Sequence, residues 1–110
     1  MRAILIDPTS CQVNQVEGEF NELQVVYTLL HCNCIEAFRL PGSSADWVIC
    51  DEEAKLKEVP APLFRLTDFH DSISGRALVV GVDEEGDNIE PATPLKQVQA
   101  MVQFLVPLSK

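Results

Sequence analysis

The chain reads as an α+β domain: a mainly antiparallel sheet of about five strands with two helices, in the order β-β-α-β-β-(β)-β-α. Three observations predict it. Apolar runs such as "RAILID" at 2–7 and "RALVVGVD" at 76–83 have strand length and end at turn residues. Two segments, near 21–30 and 93–105, carry apolar residues at helical spacing. Runs of paired strands with two helices packed on one face suit an α+β layer arrangement. At 110 residues the chain forms one domain, residues 1–110, and is too short for two good cores.

The elements follow in order. "RAILID" is a buried first strand, and "DPTS" at 7–10 is a turn with Pro8 at its corner. "CQVNQVEG" alternates and pairs back as a half-exposed hairpin strand. A helix opens at Asn21 as N-cap, with Gln24 at N3 and Phe20 stapling onto Val25. Its stripe is Leu23, Val26, Tyr27 and Leu30, and Asn33 supplies a left-handed residue near its end. "CIEAFRL" (34–40) and "DWVICD" (46–51) are strands split by "PGSSA". A turn at Asp51 to Ala54 leads to a short strand near Leu56, and Pro60 and Pro62 forbid a long element there. "DFHDSISG" (68–75) is loop, "RALVVGVD" a buried strand, and "DEEGDN" a polar turn. Thr93 and Pro94 open a last helix whose buried face is Leu95, Val98, Met101, Val102 and Leu105, stopped by Pro107.

Charge narrows the function. Seventeen acids against eight bases give a net charge of −9. Direct nucleic-acid binding is disfavoured, because Lys and Arg must displace counterions from phosphates. A basic protein partner, or mimicry of DNA charge, suits the same balance. With no basic-then-apolar leader and no apolar run of spanning length, the expected place is the cytoplasm, without membrane contact and with reduced thiols. Exposed strand edges give a small domain reason to form a homodimer or higher homo-oligomer.

Several segments together carry a family likeness: "RAILIDP", the short helix followed by "CIEAFRLPG", "WVICDEEAKLKEVP", and "GRALVVGVDEEGD". With them the chain, from about Met1 to Glu90, resembles domain-of-unknown-function family 3846, short proteins of phages, plasmids and bacteria. The middle turn departs slightly, with Glu52-Glu53-Ala54 where relatives have an aspartate-glutamate-glycine type of turn. The resemblance implies no settled activity and no functional residue. It implies a setting in which small proteins of mobile elements bind host factors.

The reactive residues are then weighed. Cys11, Cys32, Cys34 and Cys50 with His31 and His70 offer zinc ligands, but one C-x-C and two singletons lack the knuckle spacing. No C-x-x-C opens a helix for redox work, so the thiols read as small hydrophobes and no metal or cofactor is expected. His31 sits at a helix end, where imidazole meets the C-terminal dipole. His70 lies among Asp68, Asp71, Ser72 and Ser74, the residue types of a hydrolase relay, although sequence neighbours seldom form one. "DEEGD" fails the calcium-loop pattern, with Asn88 at the sixth place and Pro94 at the twelfth.

Arg39, Arg65 and Arg76 are isolated cations, each near an apolar segment. With Gly42 in the "PGSS" turn, Trp47 after it and His70, they make a candidate pocket for a nucleotide-like ligand. The plainer reading is three surface ion pairs and a core tryptophan. The expectation is a non-catalytic protein of a phage or mobile element that sequesters a host component, a defence protein or a small nucleotide signal. The alternatives are an acidic DNA mimic working through the acids at 83–90, and a small hydrolase using His70.

Overall fold

The computed structural model describes residues 1–43, 45–56 and 61–105. Its centre is the strand Ala77–Val82, which would be β7 in chain order. The first hairpin is β1 (Arg2–Asp7) and β2 (Gln12–Glu17), closed by Asp7, whose carboxylate accepts from the Thr9 N–H and the Ser10 hydroxyl. Helix α1 (Leu23–Leu30) follows, then β3 (Ile35–Arg39) and β4 (Asp46–Asp51). After a 3-10 turn at Ala54–Leu56 come β5 (Leu63–Leu66), β6 (Ser72–Ser74), β7 and the two-residue β8 (Asn88–Ile89). Helix α2 (Leu95–Met101) runs directly into β9 (Val102–Leu105).

All strand pairs are antiparallel. The larger sheet runs β2-β1-β7-β4-β3, with β8 on the end of β7, and the smaller runs β6-β5-β9. Alternation along β7 explains the layering. Leu78 and Val80 point into a cluster with Val26 and Leu30 of α1, while Ala77 and Val79 meet Phe64, Leu66 and Ile73 of the small sheet and Val98 of α2. Both faces of this strand are covered, so it reads as a continuous apolar run. Its fully buried Leu78, Val79 and Val80 each contribute about 1.5–3 kcal/mol of transfer free energy.

The α+β class stands, and the strand number rises from about five to nine among the described residues. Three of the extra strands have local causes. Residues 72–74, read as loop, pair with β5 because Ile73 is a buried core residue. Asn88 and Ile89 extend the "DEEGDN" turn into a hairpin arm. The last helix ends at Met101 rather than at Pro107, which lies outside the described residues. Val102 and Phe104 alternate with exposed Gln103, and pairing with Leu63–Leu66 wins over helical continuation. The expected strand near Leu56 is a 3-10 turn, the strand forming instead at Leu63, and Pro60 lies outside the described residues. The helices occupy opposite faces of the large sheet, not one.

The cap assignments change too. Helix α1 starts behind Glu22 with no side-chain cap, because Asn21 is spent elsewhere: it exchanges two hydrogen bonds with the Asn88 backbone, at 2.7 and 2.9 Å. The left-handed residue at its end is His31 (φ 56°), not Asn33. Thr93 does not cap α2. Its backbone N–H donates to Oδ2 of Asp46 at 2.7 Å, and the Ala92 N–H donates to Oδ1 at 2.9 Å.

Asp46 is fully buried, so this carboxylate joins β4 to the turn that launches α2. Removing it leaves two backbone N–H groups without their charged acceptor. Asp46→Ala is expected to lower the free energy of unfolding by about 3 kcal/mol or more in urea titration, and Asp46→Asn by less.

Candidate functional site

A cleft of about 360 Å³ opens where the β3–β4 edge of the large sheet meets β6 of the small one. The β3–β4 register sets Glu36 opposite Cys50 and Phe38 opposite Val48, so Glu36 and Phe38 share the face turned toward the small sheet. From the other side, the 66–69 turn brings Phe69 in. Its N–H donates to the Leu66 carbonyl at 3.1 Å, and Asp68 takes a left-handed φ of 66°. The Phe38 and Phe69 rings stack at 4.3 Å with 20° between planes, and the His70 imidazole lies 4.6 Å from Phe69.

Glu36, Glu52 and Asp71 line the cleft around this aromatic floor. Asp51 borders it from the end of β4, but alternation turns its side chain to the α1 face, where it also lines a hollow with His31 and Arg76. Asp51 accepts the Glu53 N–H at 2.9 Å, and Asp71 accepts the Ser72 N–H at 2.8 Å. No lysine or arginine occurs among the described lining residues. Three acids beside a ring pair favour a cationic group, through Coulomb attraction and the negative faces of the rings.

Of the six residues proposed from sequence for a nucleotide-like pocket, His70 alone lines this cleft, while Asp71, Ser72 and Ser74, weighed with it as a relay, line it too. Arg39 and Trp47 are cross-strand partners, the guanidinium 5.0 Å from the indole centroid. Gly42 is exposed in the β3–β4 loop with φ 81°, a conformation glycine adopts freely. Arg65 is exposed on β5, across from Ser72 and Gln103. Arg76 donates to the Leu29 carbonyl at the end of α1 (3.0 Å) and pairs with Asp7 (3.4 Å). Trp47 faces Val80, four residues along the chain from Arg76, or ~13 Å of strand. Arg39 and Trp47 are thus brought together, while Arg65 and Arg76 lie apart from them.

His70 makes no hydrogen bond with Ser72, Ser74 or a carboxylate among the described residues, and the Ser74 hydroxyl donates to the Ala61 carbonyl at 3.2 Å. Among the described residues these groups do not form a serine–histidine–aspartate relay. Cys32 packs beneath α1 and Cys50 on the opposite face of the sheet, so the sheet itself separates them. Ligand oxygens of Asp83, Glu85 and Asp87 lie within 4.8 Å of one another. The hairpin turn accounts for that cluster, since Asp83 Oδ1 accepts the Glu85 and Asp87 N–H groups at 2.9 and 3.0 Å.

Glu36 and Phe38 were legible as a same-face pair in "IEAFR", whereas Phe69 and Asp71 sit in a segment that reads as loop. Fold and cleft together define a small two-sheet α+β domain with an acidic, aromatic-floored edge. Residues 1–103 match the family described as Domain of unknown function (DUF3846), and the chain belongs to that family. No curated protein and no solved structure matches it.

The same acidic field reaches Cys34, just before β3. Glu53 chiefly, then burial, then Glu52 and Asp51, hold its thiol above the ordinary range. Alkylation of Cys34 is expected to rise only at higher pH than for a free thiol, and Glu53→Gln should bring the profile down. Peptide-resolved iodoacetamide labelling across pH checks this; superimposable profiles would contradict it.

Proposed function

We propose that this protein is a non-catalytic binding protein that sequesters a host protein stoichiometrically, taking a lysine or arginine side chain of that partner into the Phe38–Phe69 cleft. The observation that carries the reading is the set of three acidic residues, Glu36, Glu52 and Asp71, that line a cleft together with a stacked phenylalanine pair. The cytoplasm of a host cell and counter-defence by a phage or mobile element complete the proposal, and rest on the setting that the family resemblance implies. No helix among the described residues is long and apolar enough to cross a membrane, which is compatible with that place.

Between the two sequestration targets, the geometry favours a protein over a nucleotide signal. Phosphates need converging cations, and Arg39, Arg65 and Arg76 diverge onto a sheet end, the small sheet and the end of α1. The DNA-mimic reading draws less support. Glu90 is paired with Arg2 at 3.3 Å, and Asp83 is engaged by its own turn.

The test is titration of the isotope-labelled protein with a lysine- and arginine-rich peptide, read by amide chemical shifts at low and high salt. Perturbations should centre on residues 36–38 and 69–72 and fade with salt. Glu36→Gln should weaken binding several-fold, and Phe69→Ala more, while Glu84→Gln in the β7–β8 turn should not. Shifts centred on 83–87 would turn the reading toward charge mimicry, and shifts spread over the whole surface would sink it.

A further inference from the structure

Among the described residues no strand pairs with the outer edge of β2, and its hydrogen-bonding parity follows from the start of the chain. Met1 and Gly18 exchange both bonds, the amine donating to the Gly18 carbonyl at 2.9 Å and the Gly18 N–H to the Met1 carbonyl at 3.0 Å. In an antiparallel ladder, bonded pairs alternate. The register then makes Val16, Asn14 and Gln12 the residues bonded to β1, and turns the N–H and C=O of Val13, Gln15 and Glu17 outward. Gln99 of α2 corroborates this, since its side-chain amide reaches the Val13 carbonyl at 2.8 Å.

Edge strands are usually protected by charge, proline or a bulge. Residues 10–16, "SCQVNQV", hold no charge in a chain of net −9, whereas the opposite edge, β3, carries Glu36 and Arg39. On the α1 side of β2 lies a mostly apolar groove of about 540 Å³, lined by Val16, Phe20, Val25 and Leu29 together with Glu17, Gln24 and Thr28.

We infer that this edge takes a second copy of the same chain, the two β2 strands pairing antiparallel about a two-fold axis through Gln15. Side chains opposite each other must share a sheet face, which restricts the register to pairs of equal parity. A centre at Gln15 pairs it with the partner's Gln15, and Val13 with the partner's Glu17, all within the extended strand. A centre at Asn14 would draw in Cys11, whose φ of 56° is not that of a strand. The Val13 carbonyl has a second lone pair, so the Gln99 contact and the new bond coexist.

Charge permits the pairing. The two Glu17 residues stand ~14 Å apart along the strands, beyond the Debye length at physiological salt. The two grooves meet across the axis, with Val16 one residue from it on the α1 face. The large sheet then continues through both copies, and the clefts remain at the far edges because β3 is the strand furthest from β2.

Sedimentation velocity over a wide protein concentration range tests the inference. The full chain should associate to a dimer. Gln15→Pro removes only an outward N–H, so far-UV circular dichroism should stay native while dimerisation weakens about tenfold or more. Gln15→Glu sets two carboxylates face to face at the axis and should weaken the dimer at low salt, with partial recovery as salt rises. A wild-type monomer throughout, or a Gln15→Pro protein that is native and dimerises as wild type does, overturns it. Should Gln15→Pro unfold, Gln15→Glu decides: unchanged association overturns the inference.

Discussion

A single buried carboxylate fixes how the layers meet. Asp46 begins β4, and its two oxygens hold the Ala92 and Thr93 N–H groups ahead of α2. Its own N–H is received by the Ser43 hydroxyl at 3.0 Å, and its carbonyl accepts from Leu40, so the β3–β4 loop closes on the same residue. Directly opposite on β7 is Gly81. A methyl group there would stand 2.8 Å from the Glu90 carbonyl and 3.4 Å from Asp46 Oδ1, so only glycine lets the chain leading to α2 lie this close. Central strand, loop and second helix are thus tied at one point, and a buried anion is tolerable because backbone dipoles surround it.

From that point outward the two ends of the large sheet differ in chemistry. At the Asp46 end the cations are used locally, with Arg39 over Trp47 and Arg2 against Glu90. At the Asp51 end Glu36, Glu52 and Asp71 line a cleft between the two sheets together with the stacked Phe38 and Phe69. Part of the chain's acidic character therefore lies in the cleft between the two sheets, and another part in the 83–90 turn. Arg76 shows the complementary rule. A cation that sequence alone offers to a ligand is consumed in holding the end of α1 to the first hairpin.

Much of the fold was legible because patterns of period two and apolar runs are local. The strands at 2–7, 12–17, 35–39, 46–51 and 77–82, and the body of α1, all follow from side-chain alternation or helical spacing. What escaped depended on partners far away. Val102–Leu105 is a strand only because β5 lies beside it, and Asn21 declines its capping role only because Asn88 is within reach. Asp46 looked like the polar start of a strand, with nothing in "SADWV" to reveal that it is buried. The cleft was half legible: His70 was singled out and Glu36 with Phe38 could have been, but their meeting with Phe69 is a tertiary event.

The position of β7 has a consequence during synthesis. Its neighbours β1 and β4 must wait for it, and β1 ends at Asp7 while β7 begins 70 residues later at Ala77. At translation rates of ~5–20 residues per second, that wait lasts roughly 4–14 s. Throughout it the first hairpin has its inner edge open on the ribosome, with Ile4 and Ile6 lacking their eventual neighbours. So non-local a ladder also folds slowly for its length. The nascent chain is most exposed to chaperones, proteases and its own copies just before its most buried strand emerges.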